Sequence, residues 1–152
     1  MHKNLLNLTV ATGLVALAMA PVAGAEEMDA DAMIKYRTNV MKSLSGHMGA
    51  LARTVEGKVG FRDLVLPHAQ AIVAISHKTA EMFPEGSDFG DTDAKADIWS
   101  RRAEFDQAAA TAAERADGLV VAAEGGDMAA IGTAFKEMGK ACKGCHDEFR
   151  EE

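Results

Sequence analysis

From Met128 to Phe149 the apolar residues Met128, Ile131, Phe135, Met138, Cys142, Cys145 and Phe149 recur three and four apart without a slip. That period is helical, and a stripe so regular has to be buried against other helices. Gly125 and Gly126 break the pattern before it and Asp127 supplies an N-cap, so the helix has a defined start. Two of the stripe positions are cysteines, within Cys142-Lys143-Gly144-Cys145-His146. Residues three and four apart share a helix face, so both thiols and the imidazole of His146 point the same way. Arg150 follows His146 at the same spacing. Two cysteines, two spacers and an adjoining histidine form the attachment site of a c-type haem. The thiols add across the porphyrin vinyl groups, and the imidazole is held where it can bind the iron. Because the cysteines lie on the core stripe, the cofactor has to sit inside the bundle.

Other readings of the cysteine pair fit less well. A thioredoxin-like redox site wants a strand before the pair and the pair at a helix start, whereas these cysteines fall late in a helical pattern. Zinc wants about four ligands, and beyond Cys142, Cys145 and His146 the chain offers only distant histidines. A disulfide between two residues of one continuous helix does not suit the geometry of the bond.

The N-terminus points to export. Lys3 opens a short positive region, Leu5 to Ala20 is mostly apolar, and Ala23-Gly24-Ala25 has the small-x-small form cut by signal peptidase. Cleavage is expected between Ala25 and Glu26, leaving 26–152 as one mature domain. A retained anchor is the alternative, although the apolar run is shorter than the ~20 residues that span a bilayer. No later segment is apolar for long enough to insert in a membrane. The first 25 residues hold one of the 16 basic residues and none of the 23 acidic ones, so the mature chain keeps 15 against 23, a formal charge of −8. Such a chain is a poor partner for nucleic acid or an anionic lipid surface.

Three further helices can be read, and no alternating strand pattern. The first runs from a cap at Asp29 to about Glu56, with Met33, Tyr36, Val40, Leu44, Met48, Leu51 and Val55 as its stripe. The second begins near Asp63, carries Pro67 in its first turn and ends before Pro84, with Leu64, Ile72, Ile75, Met82 and Phe83 as core candidates. Residues 84–92, with one proline, two glycines and two aspartates, read as a loop. The third spans about Asp93 to Ala123 on Ile98, Trp99, Phe105, Ala109, Ala112, Ala116 and Leu119. Consecutive helices with short connections pack antiparallel, so the expected fold is an all-α up-down-up-down four-helix bundle enclosing the haem. His47, His68 and His77 read as surface or cap histidines.

At this level of detail the sequence resembles a family, the class II cytochromes c, and within it the cytochromes c′, which are themselves a known example of that bundle. The resemblance covers the whole mature chain. It is carried by 139–150, with the cysteine pair at its centre, by Tyr36-Arg37, Met41 and His47-Met48-Gly49 in the first helix, and by Phe83-Pro84-Glu85-Gly86-Ser87 and Ile98-Trp99. It implies one covalent haem c per chain, with Cys142 and Cys145 as thioether links and His146 as proximal ligand and metal-binding residue. Arg150 matches the basic residue beside that histidine, where nitric oxide binds in some members. Arg37 and Thr38 match haem contacts, the arginine near a propionate, and Met41 matches the residue over the open face of the iron. Phe83 and Phe105 match apolar neighbours of the porphyrin. Read without the family, Arg37 fits a solvated helix position, and Met41, Phe83 and Phe105 fit ordinary core positions.

The resemblance implies a periplasmic haem protein, not an enzyme, with five-coordinate high-spin iron that carries electrons and binds nitric oxide or carbon monoxide. The alternative within the fold is a low-spin carrier in which Met41 and His146 both ligate iron, which raises the potential and closes the site to gases. The alternative outside it is a thiol or zinc helical protein without haem. Partners implied are an unidentified redox protein, small diatomic gases and a second copy of the chain.

Overall fold

The computed structural model describes residues 29–151, so the expected signal peptide and cleavage after Ala25 lie outside the described residues. Five α-helices follow one another: α1 Ala30–Val55, α2 Val65–Ser76, α3 Asp97–Ser100, α4 Arg102–Gly125 and α5 Met128–Phe149, with single 3-10 turns at Arg62–Leu64 and Ala80–Met82. Among the described residues there is no strand, only one isolated antiparallel bridge between Ala94 and Arg150. The four long helices form the bundle, α1 packing on α2 and α5, and α4 on the same two.

The caps act as their chemistry dictates. Asp29 accepts a hydrogen bond from the Ala32 amide at 3.1 Å, and Asp127 accepts one from Ala129 at 3.0 Å. Between α4 and α5 the chain reverses at Gly126, whose φ of 73° is left-handed and free of cost only for glycine.

Two expectations about the helices need correction, and the end of α5 shows how the chain is held there. The second helix stops at Ser76, and 77–83 continue as turns and the 3-10 segment, because the chain must swing Phe83 inward ahead of Pro84. Instead of one helix from Asp93, the single turn α3 is separated from α4 by Arg101 at φ −115° and ψ 40°. At the C-terminus α5 ends at Phe149; Arg150 is extended, although its amide still donates to the His146 carbonyl at 3.0 Å. The cause lies in tertiary pairing: Lys95 donates its amide to Phe149 O at 3.0 Å and Glu151 to Asp93 O at 2.7 Å. These bonds clamp the end of α5 to the loop before α3.

The core has two parts. Leu51, Val65, Ala69, Ile72, Ala116, Leu119, Ile131 and Met138 form one buried cluster. Met82, Phe83, Ile98, Phe105 and Phe149 form the other, with Met41, Trp99 and Cys145 packed against it. Two expected core residues are exposed instead. Tyr36 is 59% exposed, and Leu64 is 43% exposed because the 3-10 turn puts its neighbour Val65 inward instead. Ile34 and Arg37, outside the expected apolar stripe, are the buried residues of that part of α1.

Candidate functional site

A cavity of about 550 Å³ opens between the helices, within the ~300–1,000 Å³ typical of ligand and cofactor sites. All nine residues singled out from the sequence line it: Arg37, Thr38 and Met41 from α1, Phe83 from the inter-helix loop, Phe105 from α4, and Cys142, Cys145, His146 and Arg150 from the end of α5. Leu44, Met48, Ile98, Met138 and Phe149 complete much of the apolar wall. On α4 the wall is made by Ala109 and Ala112, side chains too small to fill the space themselves. The alanine-rich character of that helix therefore has a consequence for the site as well as for helix propensity.

Cys142 and Cys145 are unpaired and half-buried. Burial pushes both thiols up, Cys145 to about 11, with the neighbouring Cys142 adding to the shift there. His146 lies at the rim. Partial burial, then the Arg150 guanidinium, lower its proton affinity, and Asp147 opposes them. The balance favours a neutral imidazole, the form that ligates metal. Two free thiols and an imidazole on one helix face, beside an apolar hollow walled by aromatics, suit a flat apolar macrocycle with a central metal.

The aromatic wall is a connected set. Phe83 and Phe105 meet edge-to-face at 4.9 Å between centroids, and Phe105 meets Phe149 at 5.4 Å. Such pairs add about 0.5–1.5 kcal/mol each beyond area burial and fix the ring planes.

Arg37 is 2% exposed, which removes the reading as a solvated helix residue. Its Nη1 donates to Ser87 Oγ at 2.7 Å, and its Nη2 to Ser87 O at 2.7 Å and Thr92 Oγ1 at 2.9 Å. Its guanidinium also lies 4.8 Å from the Phe83 ring centroid and 5.6 Å from that of Trp99. Burial lowers its proton affinity and Asp88 opposes this, but a guanidinium stays charged. Arg37 thus pins the 84–92 loop while one edge of its side chain faces the cavity.

Two further side chains hold this segment, and sequence reasoning gave them no such part. Arg102 donates to Phe83 O at 2.7 Å and Ala80 O at 3.1 Å, and Trp99 Nε1 donates to Pro84 O at 2.8 Å. Nothing in the residue pattern marks Arg102, which looks like any charged first-turn residue. Its role depends on a loop folded against it from 19 and 22 positions away.

The histidines divide. His77 is exposed and pairs with Asp117 at 3.0 Å, as a surface histidine should. His47 and His68, expected at the surface, are instead half-buried, with their Nδ1 atoms 2.9 Å apart across α1 and α2.

Comparison with known proteins agrees with this geometry. The family model described as Cytochrome C′ matches residues 32–150. Cytochrome c′ of Pararhodospirillum photometricum is 39% identical over 122 residues, covering 80% of this chain and 98% of the relative. The crystal structure of cytochrome c′ from Rubrivivax gelatinosus superposes with a TM-score of 0.77 at 34% identity, covering 82% of this chain and 98% of that one. The nitric oxide complex of a single-substitution variant of cytochrome c prime from Alcaligenes xylosoxidans superposes at 0.76, with 26% identity over 82% of this chain and 98% of that one. Proteins of this kind carry covalently bound haem c, and the two cysteines here fit its attachment. With the family model spanning nearly all the described residues, and the thiols and imidazole gathered on one cavity, the chain belongs to the cytochrome c′ family.

Proposed function

We propose that this chain is an exported, periplasmic haem protein that carries single electrons and binds nitric oxide or carbon monoxide at a five-coordinate iron. Bound haem supplies a one-electron redox centre and, with His146 as its single protein ligand, an open position for a diatomic gas. The observation that carries the reading is the make-up of the cavity wall supplied by α1. Met41, Leu44 and Met48 give it an apolar stretch, with Arg37, Thr38, Lys42 and Ser45 of the same helix as its polar members, in the cavity that the cysteines and histidine of α5 also line. Where that apolar stretch faces the iron it would hold water weakly and offer no hydrogen bond to a charged ligand, which favours small uncharged gases. Cys142 and Cys145 would fix the group to α5, Phe83 and Phe105 would pack against it as apolar neighbours, and Arg37 and Thr38 would offer it polar contact. Arg150, beside His146, lowers the proton affinity of the imidazole. The reading is of a carrier and gas binder, not of an enzyme with turnover.

Met41 decides between this and the low-spin alternative. With Met41 as a lid, Met41→Ala leaves the iron high-spin and makes carbon monoxide bind faster and tighter, because an apolar obstacle is removed. A methionine-to-iron charge-transfer band in the oxidised parent, lost in the variant, would show that the thioether is a ligand and the site a closed carrier.

Export and attachment are tested together by intact mass. The mature chain should begin at Glu26 and carry the mass of one haem, after expression with the haem-attachment machinery. A polypeptide of unmodified mass from that host contradicts the proposal and favours the thiol or zinc alternative. None of the helices among the described residues is long and apolar enough to cross a membrane.

A two-fold dimer across α1 is part of the same reading. The apolar α1 residues Met33, Leu44 and Leu51, whose broad stripe suggests such a contact, pack into their own bundle, Leu51 fully buried, so the exposed Tyr36 takes their place as the apolar contact. Homo-oligomers favour such isologous pairs. Sedimentation is expected to show dimer at micromolar concentration and a shift to monomer in Tyr36→Glu; a parent that sediments only as monomer at high micromolar concentration refutes it.

A further inference from the structure

The half-buried pair of His47 and His68 takes no part in the haem site, for neither residue lines the cavity. Their rings stand 5.2 Å apart at 60°, with Nδ1 facing Nδ1 at 2.9 Å. Two neutral imidazoles meet in this way only when one donates the N–H and the other accepts it. A metal ion can take the place of that shared proton: the donor ring's Nδ1 proton is exchanged through solvent to its own Nε2, so both rings stay neutral and both Nδ1 atoms present lone pairs.

The separation favours particular ions. At a metal–imidazole bond of about 2.0–2.1 Å, two nitrogens at a right angle stand about 2.9 Å apart, and two at the tetrahedral angle about 3.4 Å. The observed 2.9 Å is the length of the hydrogen bond that holds the pair, and the nitrogens need the least change in separation for a right angle, the cis arrangement of tetragonal copper(II) or nickel(II). In the hydrogen-bonded pair the donor and acceptor directions lie along the line between the nitrogens, so both rings have to tilt for their lone pairs to converge on an ion beside that line. Among the described residues no group of three or more His, Cys, Asp or Glu side chains is placed to hold a metal, so water fills the remaining positions. That disfavours structural zinc, which wants about four protein ligands. Copper(II) stands highest in the divalent affinity order for a nitrogen site. We propose that His47 and His68 form a surface chelate for a single copper(II) ion, bridging α1 to α2 and independent of the haem.

The test is calorimetric titration of copper(II) into the ferric, haem-loaded mature protein. One ion should bind per chain with micromolar affinity. His47→Gln and His68→Gln should each weaken binding at least about tenfold, the scale on which losing a support of a metal site is felt, while His77→Gln leaves it unchanged. Copper(II) should also raise the Tm of the parent, because an ion bound only by the folded bundle stabilises it. Unchanged affinity in both glutamine variants, as when the amino terminus holds the ion, overturns the proposal. A second readout needs no variant: electron paramagnetic resonance of the copper-loaded parent should give an axial signal split by nitrogen nuclei, and a signal without nitrogen coupling refutes the site.

Discussion

His146→Ala is expected to leave haem attached through Cys142 and Cys145 while removing its protein ligand. The absorption spectrum should change in both oxidation states. The fold should lose on the order of 2–4 kcal/mol, the scale for loss of a metal bond, or roughly 10 °C in Tm for a domain of this length. The structure localises the effect: the His146 carbonyl still receives the Arg150 amide and the backbone clamp from 93–95 to 149–151 is untouched, so the variant should fold. A spectrum identical to that of the parent would remove His146 from the ligand role. Exogenous imidazole offers a complementary check, because it should restore much of the parental spectrum when it occupies the space left by the side chain.

The second large effect is expected at Arg37. Arg37→Met keeps an unbranched apolar stem and deletes three hydrogen bonds to Ser87 and Thr92, leaving the Ser87 carbonyl and Oγ without the Arg37 donors and Thr92 Oγ1 with only the Ala94 amide. Ser87 is fully buried, so water cannot easily replace what is lost. Stranded buried acceptors cost about 1–3 kcal/mol each, and a destabilisation of about 2–4 kcal/mol is expected after relaxation. It should be local at first: amide exchange in 84–92 should accelerate before that of α5. Arg37→Lys is not expected to rescue it, since a single ammonium does not reproduce a planar fork across three acceptors. A lysine variant within about 0.5 kcal/mol of the parent would mean that the charge, and not the geometry, matters.

The two predictions differ in how legible their residues were. His146 was evident from five consecutive residues, because covalent chemistry sets the spacing of the cysteines and the histidine. Arg37 was singled out by resemblance to a family and given a haem contact, whereas its resolved hydrogen bonds go to Ser87 and Thr92, 50 and 55 positions along the chain. Tyr36 and Leu64 show another limit. Both satisfy the apolar spacing, yet periodicity fixes a helix face only to within about one position, and the 3-10 turn before α2 rotates that face by enough to exchange Leu64 for Val65.

What the sequence by itself determined is everything local or covalent: four long amphipathic segments, the caps at Asp29 and Asp127, the reversal at Gly126, and the haem attachment residues. These follow from side-chain spacing, backbone sterics and thiol chemistry, none of which depends on a distant partner. Only the tertiary structure decided that Arg101 interrupts the third helical segment, that Arg37, Trp99 and Arg102 converge on the 80–92 segment, and that His47 faces His68. Each of these rests on a contact between residues far apart in the chain, where a buried polar group finds its partner only after the bundle has closed.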